Sequence, residues 1–379
     1  LVAGGLLARR WGDGGKPSPS ATVVAVLAAL CLAAFALHLR HLGAPSADGA
    51  QRIDRALLPW WRFVTFTVDE RHGPLWYVLL RGSLALGADD AFAQAPALVA
   101  GVALVGATFS LARRWASDGW ALLAAAVVAV HPAIGDFSTE IGPTTTFACT
   151  ATLALGAWTD VLRGATGRLR AAMAWLVAGL LTSYAAVPLA AVLLAFAARQ
   201  RLSFRAVRGL LALATLPVLA FAVGAVGDLA HRRLAHQFPT LAWGDASPAA
   251  TLVGFAALLG PGPWAGAAGL AAAAGAAWGR RRDAGAAIGV AALALPLAFA
   301  AAAPWLRVKP YYAFGAIPAL WTLAIAAGAA LRPQSRAARV AAGVALVAAA
   351  LTPPLAVSGR PYRQQGDAAF ATVARHLAE

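Results

Sequence analysis

Asp69-Glu70-Arg71-His72-Gly73-Pro74-Leu75-Trp76-Tyr77 sets two acids, an arginine and a histidine directly against an aromatic, apolar helix start. It closes a polar connection that opens at Asp48 and also carries Asp54, in a chain where charged residues are otherwise scarce. Apolar runs stand on both sides of it. The stretch reads as a wet site beside lipid.

The composition agrees. The chain has 379 residues, 60% hydrophobic and only 12% charged, against roughly 25% charged for a soluble domain. This excludes an ordinary soluble domain and implies a polytopic membrane protein. The net charge of +15 does not point to nucleic acid, because the arginines sit in short clusters between apolar runs rather than along one face. They read as topology signals. Lysine occurs only as Lys16 and Lys309 among abundant Ala, Gly and Arg, which suggests a GC-rich bacterial source. Cys31 and Cys149 both fall in apolar runs, so neither a disulfide framework nor a thiolate metal site is expected. Leu1 to Ser20 lacks the apolar core and cleavage site of a signal peptide.

Span length and arginine placement together give a count and an orientation. Arg9, Arg10 and Lys16 put the start of the first span, Ala21 to Leu39, in the cytoplasm and Asp48 outside. Pro74 to Gly87 is about 14 residues, about 21 Å of helix, too short to cross roughly 30 Å of hydrocarbon. It is expected to lie along the outer surface or dip into it. Leu57 to Phe66, with Trp60 and Trp61, reads as an amphipathic helix at headgroup level, and Trp76 as a further interfacial aromatic. Spans follow at Phe92 to Leu111, Ala121 to Ile134 and Thr145 to Leu162, then a pair between Ala171 and Ala198. Further spans are expected at Leu210 to Val226, Ala249 to Trp278, Ala286 to Ala303, Tyr311 to Leu331 and Val340 to Pro353. The expected fold is all-α, with about eleven spans and external juxtamembrane helices between the first two. Residues 1–355 form one transmembrane domain, with an external loop at 40–91, and 356–379 form a short external tail.

Acids beside apolar spans are expected at interfaces, since a carboxylate at the bilayer centre costs about 2.5 to 3.5 kcal/mol on insertion scales. Asp48 and Glu140 each fit that ordinary reading alone. As two acids on separate external loops, with basic and aromatic groups nearby, they become candidates for chemistry. Asp69 and Glu70 could bind a cation or orient His72, or pair with Arg71, but nothing beyond adjacency gives them ligand spacing. The external loop Gly227 to Ser247 holds His231, Arg232, Arg233 and His236, either a phosphate cradle or an interfacial anchor. No Walker loop, dinucleotide fingerprint or Ser/His/Asp order is present.

The order of motifs resembles the GT-C fold glycosyltransferases, in the branch of bacterial protein-mannosyltransferase-like and aminoarabinose-transferase-like enzymes. The resemblance rests on Asp48-Gly49, His72-Gly73-Pro74-Leu75-Trp76-Tyr77, Gln94-Ala95-Pro96-Ala97-Leu98, His131-Pro132, Thr139-Glu140-Ile141-Gly142-Pro143-Thr144, and Lys309-Pro310-Tyr311-Tyr312 through Pro318-Ala319-Leu320. It covers nearly the whole chain. The likeness implies a bacterial inner-membrane enzyme, multi-pass, with its active site facing outside. Such an enzyme moves a sugar from a polyprenyl-phosphate-linked donor to an extracytoplasmic glycan, lipid or protein acceptor, with inversion. By position, Asp48 is the implied base and Glu140 the second acid. Arg71, His72, Arg307, Lys309, Tyr311, Tyr312, Arg232 and Arg233 are the candidates for the donor's phosphate and lipid, with Asp69 and Glu70 as supporting acids. No cofactor and no metal site is expected, although a divalent cation stays open. The partners implied are the lipid-linked sugar, the acceptor and membrane lipid, with no nucleic acid.

Gly49, Gln94 and Gly142 stand where this family carries charged residues, and no arginine immediately precedes Tyr311-Tyr312. A second reading follows: a catalytically degenerate GT-C scaffold that binds a lipid-linked glycan or a partner protein without transferring anything.

Overall fold

The structure is a computed structural model, and residues 18–40, 42–43, 47–62, 73–87, 89–237, 247–259, 284–302 and 310–330 are described. The first helix, α1 (Ala21–Leu39), is apolar on every side and capped by the Ser20 hydroxyl, which accepts from the Val23 N–H at 3.3 Å. Two short helices follow, α2 (Ala47–Ala56) and α3 (Pro74–Leu84), the latter opened by Pro74 at its first position. The second is the short helix expected from Pro74; the first falls in the polar connection, ahead of the helix expected at Leu57 to Phe66. Then α4 (Asp90–Arg113) runs the length of the bundle, capped by Asp89, whose carboxylate accepts from Phe92 N–H at 2.9 Å.

After α4 come α5 (Asp118–Val130), α6 (Pro132–Thr139) and α7 (Thr144–Leu162). The expected span Ala121 to Ile134 is broken, because Pro132 cannot donate to the α5 ladder and holds His131 extended at ψ 120°. A separate helix restarts there, bent by 56°. The loop expected after His131 is therefore helical. Nearly every side chain of α7 is buried, which makes it the central helix, packed against α4, α8 (Leu169–Thr182) and the 3-10 segment Pro310–Ala316. Three of its threonines turn their hydroxyls back onto their own helix: Thr150 donates to Thr146 O at 3.0 Å, Thr152 to Ala148 O at 2.7 Å and Thr159 to Leu155 O at 2.8 Å.

The remaining α-helices among the described residues are α9 (Val187–Arg199), α10 (Arg208–Gln237), α11 (Pro248–Leu259), α12 (Ala284–Ala302) and α13 (Ile317–Ala330). Two expected boundaries shift. α10 continues past Gly227 to Gln237, so Asp228, His231, Arg232, Arg233 and His236 of the expected loop lie on a helix, since neither glycine nor proline follows Gly227 before Gln237; 238–246 lie outside the described residues. The span expected from Tyr311 instead opens with 3-10 turns and becomes α-helical at Ile317. Among the described residues α1 and α4 are long and apolar enough to cross a membrane, as is the bent α5–α6 pair if it counts as one span. The protein is an integral membrane protein. The span expected at 340–353 and the tail 356–379 lie outside the described residues.

Candidate functional site

The amphipathic helix α2 is what brings the candidate acids' segments together. Asp48 stands in its first turn, and Arg52 follows four residues later in the helix. The Arg52 guanidinium reaches across to the end of α6, where Nη1 donates to Glu140 Oε1 at 3.0 Å and to the Ile141 carbonyl oxygen. Arg52 is buried, with a side chain 9% exposed, whereas that of Glu140 is 31% exposed. Gly142 allows this approach: a Cβ there would stand 2.8 Å from Arg52 Nη1. Any side chain at 142 would compete with the guanidinium for its space.

A small apolar core supports α2 and α3 at this end, made of Ala56, Trp76, Tyr77, Leu80, Ala93, Ala97 and Ile141. Trp76 is fully buried, not interfacial, because it lies on the face of α3 turned to α4. Trp60 and Trp61 are exposed, and Arg81 stacks over the Trp60 ring at 4.4 Å while donating to the Ala56 and Leu58 carbonyls. The expected Leu57 to Phe66 helix is interrupted by a turn at Leu57 and Leu58, and 63–66 lie outside the described residues. Burial pushes the Tyr77 phenol above its ordinary value; Arg52 and Arg55 pull it back, and Tyr184 raises it. The start of α3 is pinned to the end of α8 by the Gly73 N–H, which donates to Thr182 O at 3.1 Å. A Cβ at Gly73 would fall 2.1 Å from Leu181 O.

The same end receives the 3-10 segment that carries Tyr311 and Tyr312. Phe137, three residues before Glu140, meets Phe314 edge to face at 4.8 Å between centroids. Gln94 turns out to be a tether, its amide donating to Gly43 O at 2.8 Å just beyond α1. The structure thus gathers the helix of Asp48, Glu140 and the segment of Tyr311 and Tyr312 at one end of the bundle. The helix α10 fixes Arg232 and Arg233 in backbone only, and Asp69, Glu70, Arg71, His72, Arg307 and Lys309 lie outside the described residues. No group of three His, Cys, Asp or Glu able to hold a metal occurs among the described residues. Arg52 was not singled out by sequence reasoning. Its signal was its spacing, one helical turn from Asp48 in a polar helix.

No family model and no curated protein matches the chain. Two solved structures do, both of ArnT from Cupriavidus metallidurans. The apo crystal structure superposes with a TM-score of 0.57 at 18% identity, over 90% of this chain and 66% of that one. The chain has the ArnT fold. The ArnT crystal structure bound to undecaprenyl phosphate matches equally, with a TM-score of 0.57 and 18% identity over 87% of this chain. This is the GT-C fold that the order of motifs implied. The chain spans just under two thirds of the length of the ArnT chains it matches, 66% and 64%.

Proposed function

We propose that the chain is a membrane glycosyltransferase of the bacterial inner membrane, which transfers one sugar from a polyprenyl-phosphate donor to an acceptor outside the cytoplasm. The observation that carries this reading is the fold shared with an ArnT crystal structure bound to undecaprenyl phosphate. The docking of α2 onto Glu140 through Arg52 supports it, since it joins the segments of both candidate acids. In the reaction proposed, Asp48 accepts the proton of an acceptor hydroxyl as that oxygen bonds to the anomeric carbon. The bond from that carbon to the donor phosphate breaks on the opposite side. The product is inverted, and the polyprenyl phosphate departs as an anion held by cationic groups, for which Arg71, Arg307 and Lys309 are the first candidates.

The test is turnover in nanodiscs supplied with polyprenyl-phosphate sugars, scored as free polyprenyl phosphate released. Asp48→Asn is expected to lose about 10²- to 10⁴-fold in rate with lipid binding unchanged. The scaffold reading draws on Gly142 and Gln94, whose neighbourhoods are filled by structural contacts with Arg52 and Gly43. It predicts lipid binding without turnover in both the parent chain and the variant.

A further inference from the structure

The opposite end of the bundle holds a second charged centre that the proposed reaction does not use. Asp160, near the end of α7, is completely buried. Arg114, at the end of α4, grips it with two hydrogen bonds, Nε to Oδ1 at 3.0 Å and Nη2 to Oδ2 at 2.9 Å, and Arg168 donates to Oδ2 at 2.8 Å. Arg114 also donates to the Ser110 hydroxyl at 2.9 Å, and Arg163 donates to the Arg114 carbonyl at 2.7 Å. Thr144 to Asp160 spans sixteen steps of helix, so about 24 Å separates this centre from the Glu140 end.

Beside it lies a cavity of about 190 Å³ between α4, α7 and the start of α8. Its lining is graded. Arg114, Arg168 and Ser110 stand at the helix ends, while Ala107, Leu153 and Trp175 lie up to two turns deeper along the same helices. Arg168 is the exposed member of the ion cluster, its side chain 31% accessible against 4% for Arg114. Two guanidiniums face a single carboxylate, and Arg163 and Arg170, within five residues of Arg168 in the chain, are exposed. The excess is positive, at the end of the bundle where arginines collect. A charged mouth over an apolar floor matches one ligand class, a phosphodiester headgroup followed by acyl chain.

We propose that this slot binds an anionic phospholipid, with its phosphodiester at Arg168 and its acyl chain against Trp175. The site is separate from the candidate glycosyl-transfer end and does not depend on that assignment. The test titrates the full chain in detergent with phosphatidylglycerol brominated in its acyl chains and reads quenching of Trp175, taken as the difference from Trp175→Phe. Saturable quenching is expected with phosphatidylglycerol and not with brominated phosphatidylcholine. Arg168→Gln leaves the Arg114–Asp160 pair in place and is expected to weaken binding about fivefold. Ala171→Phe, at an exposed lining position, is expected to abolish saturable quenching while the thermal transition of the chain is kept. Equal quenching by both lipids, or no change in either variant, would overturn the proposal. Excess inorganic phosphate binding at Arg168 in place of any lipid effect would overturn it too, by making the slot a free-anion site.

Discussion

The two ends of the bundle handle charge in opposite ways. At the arginine-rich end Asp160 has no exposed surface and accepts three charge-assisted hydrogen bonds, two of them from one guanidinium. At the other end Glu140 keeps 31% of its side chain exposed and is held through one oxygen by a single arginine nitrogen. A carboxylate that is buried and saturated serves to lock helices together. One held through a single oxygen, with its remainder open, can still meet a ligand. The difference separates a structural acid from a candidate functional one more clearly than the residue types do.

The comparison can be broken in order of expected effect. Asp160→Ala strands two guanidiniums that it neutralises, and is expected to cost about 3 to 5 kcal/mol, read as a fall in the thermal midpoint of the purified chain. A small loss would mean that the centre is not a lock. Arg52→Ala removes the donor of the Ile141 carbonyl and the Glu140 carboxylate and is expected to cost about 1 to 3 kcal/mol. It should also lower transfer, with lipid binding much less affected. Gly142→Ala alone crowds Arg52 and is expected to cost about 1 to 3 kcal/mol by overpacking. In the Arg52→Ala background that cost should vanish, because the clashing nitrogen is gone; additive losses in the double variant would show that Gly142 is needed for another reason.

The smallest effect is a titration. Ultraviolet absorbance of the chain minus that of Tyr77→Phe should place the Tyr77 phenol above its ordinary 10.0, and Arg52→Ala should raise it further by removing a cationic neighbour. A phenol whose folded value is raised contributes stability in full below the unfolded value. That contribution is lost as pH climbs above about 10. A Tyr77 that titrates at or below the ordinary value would place it in solvent rather than in the small core.

Much of this was readable from residues taken one stretch at a time. Ala21–Leu39 was delimited by its apolar run, Pro74–Leu84 by its shortness, and the arginine-rich ends by composition, because hydropathy and charge are local sums. The bend at His131-Pro132 was in principle legible from the proline, yet the apolar run on both sides hid it. Trp76 shows a different limit. An aromatic beside a polar stretch reads as interfacial, and only the packing of α3 against α4 reveals that it is core.

The sequence by itself determined the solvent, the helical class, the alternation of arginine-rich and acid-bearing ends, and the order of motifs that implied the fold. Only the tertiary structure decided which charges meet. Arg52 and Glu140 are separated by 88 residues, and Arg114 and Asp160 by 46. Local sums of hydropathy say nothing about which helix ends become neighbours. Whether an acid is locked or open depends on the donors that folding brings to it.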